Sequence, residues 1–439
     1  MSFLINLLEL LKDPSKLTES SDAIGLTKLS ILDWAAVGIK GSFEPVSKVI
    51  SRMIIEESGA KEAFAFGLNK RMPARSAALM NGVASHALDY DDTNFLYLGH
   101  PSVVVNSAVF AIANKTNLSL SSTIKNALVG YEVAAKLGVW LGREHYQKGF
   151  HITATAGVFG AAMGCSGVLN SSKEVTKNAL NLAASKASGL KSQFGTMGKP
   201  YHAGMAASSG VEVAMLAKYG LIASDNSLEG EYGFGAAYGR KNTLQSDGFG
   251  EASWLFTSVK YKFHACCHGT HAAIEALNFL KKTYCFNPKH IKKIWVTVNP
   301  KYASVCNIKE PKSGLEIKFS YRMIIAMIIF DYDTSKLDIF SDQVCFDPEL
   351  IKFRRKVDVN FSKTLKDSES KVEVQLSSNI IYSKCTDLEK MYSFNDLEEK
   401  VRKKAQGLLG SCTEKKIWSM IQDKNITSST FMEFLSECS

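Results

Sequence analysis

The stretch HITATAGVFGAAMGCSGVL, from His151 to Leu169, consists almost entirely of small and apolar residues. We predict a helix from Ala156 to Leu169, with His151 close to its N-terminal end. Because Ala, Gly and Ser have small side chains, such a helix can lie close against its neighbours. The stretch therefore predicts tight helix packing.

Segments of similar composition continue in both directions over about the first 280 residues. The absence of alternating strands and helices argues against a doubly wound sheet. Helical spacing of apolar residues and local start signals predict further helices. These are a segment capped by Asp22, a helix opened by Pro73 and running to Asp92, and the stretches Pro101 to Ala113, Ser121 to Leu141, Glu174 to Gly189 and Ala203 to Tyr219.

After about Pro288 the pattern changes to alternation of apolar and polar residues, which is typical of strands. The predicted strands are centred on Ile294 to Val298, Val357 to Phe361, Val372 to Leu376 and Asn379 to Tyr382, with an apolar helix from Phe319 to Phe330 between the first two. Ser393 with Asp396 three residues later resembles a capping box, so a final helix is predicted through Leu409. The C-terminal part is therefore an α+β domain followed by helices.

Composition is that of a globular protein of 439 residues, with 46% hydrophobic and 22% charged residues. The net charge of +9 comes mainly from dispersed lysines and suits an anionic substrate, while no basic run interleaved with aromatics supports nucleic-acid binding. The nine cysteines are scattered without a CxxC pair, as expected of free thiols in the cytoplasm. The opening residues are too polar and too short for a membrane span.

Eight of the nine histidines lie between His86 and His271, and seven of them fall in four polar clusters. The clusters read HALDYDDTNFLYLGHPS, HITATAG, GTMGKPYHAG and HACCHGTH. Titratable groups in apolar surroundings are costly to bury unless they are paired or functional. The pattern predicts an enzyme.

In the first cluster, His86, Asp89 and Thr93 are spaced to share one helical face, with Asp92 three residues beyond Asp89. Carboxylates and an imidazole this close can orient one another and shift each other's pKa values; a polar patch at a helix end is the alternative. Pro101 makes His100 the N-cap of an apolar helix, where the backbone N–H groups attract an anion.

In the third cluster, Gly195 and Gly198 bring the backbone close to whatever Lys199 faces, and Pro200 predicts a turn at Gly198 and Lys199. Lys199 could hold a carboxylate or act as a base, or be a solvated loop residue. His151, in the second cluster, would more often be structural than catalytic if it is taken as a lone histidine.

The fourth cluster has the spacing HxxxHxxH at His264, His268 and His271. No glutamate lies between the histidines as a metalloprotease base, and Cys266 and Cys267 do not have the spacing of an iron–sulfur site. A Schiff base between Lys199 and a phosphorylated cofactor would need a phosphate-binding loop, which the sequence does not contain. The residues favour acid–base chemistry without metal or cofactor.

The chain resembles the MmgE/PrpD family, which includes 2-methylcitrate dehydratase, cis-aconitate decarboxylase and iminodisuccinate epimerase. The resemblance rests on NGVASHALDYDDT with GHPS, FHITATAGVFGAAMG, FGTMGKPYHAGMAASSGV, KFHACCHGTHAAIEAL and KFS, in this order. It implies a mainly α fold: an all-helical domain of residues 1–265 completed by C-terminal helices of 393–439, and a smaller α+β domain of 266–392 with an antiparallel sheet. It also implies a homodimer without a metal.

The resemblance implies a catalytic set of Asp89, Thr93, His100, His151 and Lys199, joined by a histidine of the fourth cluster. We favour His271 for that position and His268 second. His202, His268 and Thr196 are expected to bind substrate. The sequence departs from some relatives at Asn94 and His264, and both departures bear on which acid fits.

These residues suggest abstraction of a proton next to a carboxylate by His151 or Lys199, with Asp89 orienting a histidine and Thr93 binding a substrate oxygen. Dehydration of a small hydroxylated di- or tricarboxylate is the first expectation, decarboxylation of an unsaturated tricarboxylate the second, and epimerisation of an amino- or imino-dicarboxylate the third. A carboxylate-binding protein without catalysis is the non-enzymatic alternative.

Overall fold

A computed structural model describes residues 2–10, 21–239, 254–389 and 392–439. The chain divides into two compact units. The first comprises Met1–Gln193, Met197–Tyr261 and Glu398–Ser439, and the second comprises Phe194–Thr196 and Lys262–Leu397. Among the described residues, no helix is both long enough and apolar enough to cross a membrane.

Helices account for most of the first unit, as the sequence predicted. They are α1 (Phe3–Glu9), α2 (Ser21–Gly41), α3 (Pro45–Glu57), α4 (Ala74–His86), α5 (Pro101–Thr116), α6 (Leu120–Gln147), α7 (Ile152–Val168), α8 (Lys173–Lys186), α9 (Gly198–Lys218) and α10 (Phe234–Tyr238). Two small antiparallel pairs interrupt them: β1 (Ala63–Ala65) with β2 (Leu68–Met72), and β3 (Thr93–Asn94) with β4 (Val259–Lys260).

Close helix contacts at glycines confirm the tight packing expected from the small residues. A Cβ added at Gly82 of α4 would lie 2.6 Å from the Cα of Gly204 in α9. A Cβ at Gly160 of α7 would lie 2.4 Å from the carbonyl oxygen of Gly130 in α6. Since real Cβ atoms do not approach other atoms this closely, only glycine permits these helix crossings.

Two differences from the sequence predictions concern the polar clusters. The helix after Pro73 ends at His86 and does not reach Asp92; Asp89 has a φ of 51°, in the left-handed region that ends helices. The predicted single helical face of His86, Asp89 and Thr93 is therefore wrong. The predicted turn at Pro200 is also wrong, because α9 begins at Gly198 and a proline in the first helical turn has no N–H to leave unpaired.

The C-terminal helices are α16 (Phe394–Leu409), α17 (Ser411–Gln422) and α18 (Ser428–Glu437). The predicted cap of α16 is present, since the Asp396 N–H donates to Ser393 Oγ at 3.2 Å and the Ser393 hydroxyl donates to Asp396 Oδ2 at 2.6 Å. Backbone hydrogen bonds join the start of α18 to the loop before α6, with Ser428 N donating to the Leu118 carbonyl at 2.8 Å.

The second unit contains a four-stranded sheet with short helices. Its elements are α11 (His271–Tyr284), β5 (Ile291–Val298), α12 (Gly314–Ile317), α13 (Tyr321–Ile329), α14 (Asp342–Cys345), α15 (Pro348–Arg354), β6 (Val357–Phe361), β7 (Glu369–Leu376) and β8 (Ile381–Asp387). The sheet order is β6-β5-β7-β8. Alternate residues of β5 are buried, beginning with Ile294 and Val296, and α11 lies against β7 and β8.

The mainly α fold with a smaller α+β part is therefore confirmed, with one difference in the sheet. β5 pairs with β7 and β7 with β8 in the antiparallel sense, but β5 pairs with β6 in the parallel sense. The sheet is mixed, whereas an antiparallel sheet was expected. The direction of a strand pairing depends on the path of the connecting chain, which alternation of residues does not encode.

Candidate active site

The first unit brings the ends of four helices together, and each end carries a titratable side chain. His86 is the last residue of α4, His100 is the N-cap of α5 and His151 is the N-cap of α7. Lys199 and His202 lie in the first turns of α9. The predicted N-cap position of His100 is confirmed, and neither His100 nor His151 caps its helix through its side chain.

Lys199 pairs with Asp89. The Lys199 ammonium donates to Asp89 Oδ1, and both side chains are more than nine-tenths buried. The two residues lie 110 positions apart in the chain. The alternative of a solvated loop lysine is therefore wrong, because a charged pair is favourable in buried surroundings only when each partner compensates the other.

Asp91 lies between two imidazoles. Its Oδ1 and Oδ2 are each 3.0 Å from His86 Nδ1, and its Oδ2 is 2.7 Å from His100 Nδ1. Burial opposes ionisation of this carboxyl, but the charges and hydrogen bonds of His86 and His100 outweigh burial and hold the pKa of Asp91 well below its usual value. Asp91 is thus a buried carboxylate at neutral pH.

This arrangement changes one expected role. The sequence interpretation gave Asp89 the task of orienting a histidine, but the carboxylate in contact with His86 and His100 is Asp91. Sequence reasoning did not select Asp91 or His86 as site residues. The signal was present in the first cluster, where three carboxylates lie within four positions of each other beside a histidine.

The histidines form one contiguous group. The ring centroid of His86 lies 4.6 Å from that of His100 and 5.9 Å from that of His151. His151 Nδ1 is in turn 3.2 Å from His202 Nδ1. Burial, and then the charges of His86 and Lys199, lower the pKa of His151 well below its usual value, and burial also lowers the pKa of His202. The lowered pKa values favour the neutral form of both rings.

Asp92 stabilises the start of α5. It accepts hydrogen bonds from the Ser30 hydroxyl at 2.8 Å, from the Ser102 hydroxyl at 2.7 Å and from the Ser102 N–H at 3.2 Å. A first-turn N–H of α5, which was expected to attract a substrate anion, is therefore bound by a carboxylate of the chain itself. Burial, and then the charge of Asp33, raise the pKa of Asp92 to about 7.

Two of the predicted site residues are threonines. Thr93 is buried at the start of β3, where it pairs with Lys260. Thr196 is exposed and belongs to the second unit. Binding of substrate by either residue stays a prediction. Thr153, at the start of α7, instead contacts the first cluster, since its hydroxyl accepts the His100 N–H at 3.2 Å.

The fourth cluster lies in the second unit and is also an array of imidazoles. The ring centroid of His271 lies 4.5 Å from that of His268 and 4.9 Å from that of His264. Burial, and then the charges of His268 and His264, lower the pKa of His271 well below its usual value. His264 Nδ1 lies 2.8 Å from the Thr334 hydroxyl, and His264 Nε2 pairs with Glu275 at 3.1 Å. The catalytic role of His271 and the substrate-binding role of His268 stay predictions.

Among the described residues, one group has the composition of a metal site. One ligand atom each from His86, Asp89, Asp91 and His100 lies within 4.8 Å of the others. The Lys199 ammonium, however, is bound to Asp89, and both imidazoles are directed at Asp91. A divalent cation would have to displace the ammonium and both imidazole contacts, so the contacts fit proton transfer and anion binding better than metal coordination.

Comparison with known families and proteins agrees with these features. The MmgE/PrpD N-terminal domain family matches residues 15–247, and the MmgE/PrpD C-terminal domain family matches residues 264–426.

Individual relatives cover different shares of the chain. The cis-aconitate decarboxylase of Homo sapiens is 26% identical over 437 aligned positions, and the match covers 94% of this chain and 88% of that protein. The cis-aconitate decarboxylase of Aspergillus terreus (strain NIH 2624 / FGSC A1156) is 27% identical over 372 aligned positions, and the match covers 78% of this chain and 75% of that protein. The cis-aconitate decarboxylase-like protein oryM of Aspergillus oryzae is 27% identical over 281 aligned positions, and the match covers 60% of this chain and 58% of that protein. With both domain families matched in order along most of its length, the chain belongs to the MmgE/PrpD family.

Proposed function

We propose that this protein is a lyase that decarboxylates an unsaturated tricarboxylic acid of the cis-aconitate type without a cofactor. The observation that supports this proposal most directly is the contact of the buried Asp91 carboxylate with two imidazoles, close to the Lys199–Asp89 ion pair. The sequence favoured dehydration and gave decarboxylation as an alternative. The relatives that match are named as cis-aconitate decarboxylases, and they support the alternative.

The proposed reaction replaces a carboxyl group by a proton. The bond between the methylene carbon and its carboxyl carbon breaks, and its electron pair forms a double bond to the central carbon. The electron pair of the former double bond takes a proton at the carbon beside the remaining carboxylate. One tricarboxylate and one proton thus give one unsaturated dicarboxylate and one CO₂.

This chemistry needs cationic groups that bind carboxylates and an acid that protonates carbon. Lys199 supplies a buried ammonium for one carboxylate. His100, whose Nδ1 faces Asp91, has an imidazole that is partly exposed and can deliver a proton from Nε2. The buried Asp91 carboxylate would stabilise the imidazolium form of His100 before the transfer.

The proposed reaction reverses the direction of proton transfer expected from the sequence. His151 and Lys199 were considered as bases that remove a proton from carbon, whereas decarboxylation delivers one. The neutral state of His151, a consequence of its burial, supports a role as a hydrogen-bonding partner of the substrate. His271, His268, Thr93 and Thr196 belong to the proposal as further substrate contacts, and the active species is proposed to be a homodimer.

The test is a panel of acids incubated with the purified protein. An unsaturated tricarboxylate, a hydroxylated tricarboxylate and an amino-dicarboxylate would be followed for CO₂ release, loss of water and loss of optical rotation. CO₂ release from the unsaturated acid, with one deuterium incorporated beside a carboxylate in D₂O, is the expected result. Loss of water from the hydroxylated acid without CO₂ release would favour dehydration instead.

Variants on α9 provide a matched control. Lys199→Ala should lower kcat by about 10² or more, as should His151→Ala, because each removes a group at the centre of the cluster. Lys218→Ala on the same helix removes an exposed lysine and should leave turnover unchanged. Near-normal turnover in both Lys199→Ala and His151→Ala, with folded protein, would remove these residues from the proposed mechanism.

A further inference from the structure

A buried lysine of the C-terminal helices contacts the loop that carries the site carboxylates. Lys404 lies on α16, a helix that buries only Val401, Lys404 and Ala405. Its side chain is 2% exposed, and its ammonium donates to Asp33 Oδ1 at 2.6 Å, where Asp33 is a fully buried residue of α2. The ammonium also donates to the carbonyl oxygen of Tyr90 and lies 4.1 Å from the centroid of the Tyr90 ring.

The position of Tyr90 in the sequence makes this contact relevant to the site. Tyr90 lies between Asp89, the partner of Lys199, and Asp91, the partner of His86 and His100. Its carbonyl belongs to the peptide unit that leads directly into Asp91. A shift of this peptide would therefore move the Asp91 carboxylate, whose distances to the two imidazoles are 3.0 and 2.7 Å.

The loop between α4 and β3 carries these carboxylates outside regular helix or strand structure. Helix α4 has ended at His86, Asp89 adopts the left-handed conformation, and regular pairing begins only at Thr93. Side-chain contacts from outside the loop hold its orientation, and a charge-assisted hydrogen bond in buried surroundings is about twice as strong as a neutral one. Lys404 provides such a bond to the loop backbone.

We propose that Lys404 is a positioning residue, which sets the geometry of Asp91 and its histidines by binding the Tyr90 carbonyl, with Asp33 holding the ammonium in place. This inference deepens the proposed function and rests on it for its effect on turnover. The competing interpretation is that the Lys404–Asp33 pair serves stability alone. The two interpretations predict different turnover for a protein from which both charges have been removed together.

The experiment uses the full chain and three variants. Lys404→Met leaves Asp33 as a buried charge without this partner, so it should lower Tm as well as kcat. The double variant Asp33→Asn with Lys404→Met removes both charges, so its Tm should recover toward the wild-type value. Lys403→Met, which changes the exposed neighbour on α16, is the matched control and should alter neither quantity.

The positioning role predicts that kcat of the double variant stays about 10- to 100-fold below wild type with KM little changed, because misplacement of a catalytic group costs rate even in a stable protein. Recovery of kcat together with Tm would overturn the proposal and assign Lys404 to stability alone. A double variant with the Tm and kcat of wild type would likewise assign Lys404 to stability alone.

A measurement without substrate separates this inference from the proposed reaction. The imidazole Cε1–H resonances of His86 and His100 report their contacts with Asp91, and both should shift in the double variant but not in Lys403→Met. Unchanged resonances would overturn the positioning role. If the wild-type protein turns over no acid of the panel while the resonances shift, the proposed reaction fails and the role of Lys404 in the geometry of the site stands.

Discussion

Asp91→Asn is the substitution that tests the site most directly. The carboxylate oxygens lie within 3.0 Å of two imidazole Nδ1 atoms, whereas an asparagine has one acceptor oxygen and presents N–H donors on its other side. One of the two histidines must then change its tautomer or lose its contact. The variant also lacks the charge that would stabilise an imidazolium at His100.

The expected loss of kcat is about 10²- to 10⁴-fold, the range for removal of a group that acts in acid–base catalysis or of the carboxylate behind a catalytic histidine. The expected loss of stability is smaller. One charge-assisted hydrogen bond disappears and one neutral bond remains, which amounts to about 1.5–3 kcal/mol in the free energy of unfolding. Activity should therefore fall far more than stability.

The assay combines initial rates of CO₂ release at saturating substrate with urea unfolding at several pH values. Asp91 has a folded-state pKa below the ordinary 3.8, so its stabilising contribution is fully present above that value and is lost as the pH falls through the folded pKa. The stability difference between wild type and variant should be constant near neutral pH and shrink in acid.

The control is Asp331→Asn, which removes a carboxylate that is 88% exposed and paired with Lys281. Because exposed ion pairs contribute about 0–1 kcal/mol, this change should affect neither activity nor stability appreciably. A kcat of Asp91→Asn within a few-fold of wild type, in protein that is folded, would refute the assignment of Asp91 to the acid–base machinery.

Four further outcomes are expected. Gly204→Ala places a Cβ 2.4 Å from the Leu79 carbonyl oxygen, so it should cost about 1–3 kcal/mol in thermal unfolding and lower kcat through displacement of α9, whereas Gly407→Ala meets no atom within 4 Å and should be neutral or stabilising. Because burial and Asp33 raise the pKa of Asp92 from 3.8 to about 7, its contribution to stability is present below about pH 4 and lost as the pH rises to 7. Relative to Asp92→Asn, wild type should lose up to about 4 kcal/mol of unfolding free energy over that window in urea titrations. Dialysis against EDTA should leave CO₂ release unchanged, and a loss restored by a metal ion would contradict cofactor-free catalysis. Calorimetric binding of a tricarboxylate in buffers of different ionisation enthalpy should show net proton uptake, since the anion would favour protonation of neutral imidazoles; heats independent of the buffer would contradict it.

The sequence predicted most elements because their signals are local. The alternation of Ile294, Val296 and Val298 identified β5, and Pro101 identified the start of α5. The predictions that were wrong concern features that depend on residues outside the predicted element itself. The parallel pairing of β5 with β6 follows from the path of the connecting chain, and the end of α4 follows from the contacts that hold Asp89 in a left-handed conformation.

The sequence pointed to several members of the candidate site but not to the contacts between them. The resemblance and the polar clusters pointed to Asp89, His100, His151 and Lys199; the structure places the last three at helix ends and pairs Asp89 with Lys199. It was not possible to tell from the sequence which of three nearby carboxylates contacts a histidine, because the left-handed backbone at Asp89 changes the direction of the chain among them. The partners are also remote, as Lys199 is 110 residues from Asp89.

A bundle of apolar helices can hold this many titratable groups because the groups lie at helix ends. The interiors of α4, α7 and α9 are built from small residues, and their glycines allow backbones to approach closely. At the ends, backbone N–H and carbonyl groups have no intrahelical partners, so polar side chains are accommodated there at lower cost. Close crossing of the interiors therefore brings the ends into one place. The chemistry consequently depends on the packing: a substitution at an interior glycine that leaves every site residue unchanged still moves the ends relative to one another, and the reactive geometry changes with them.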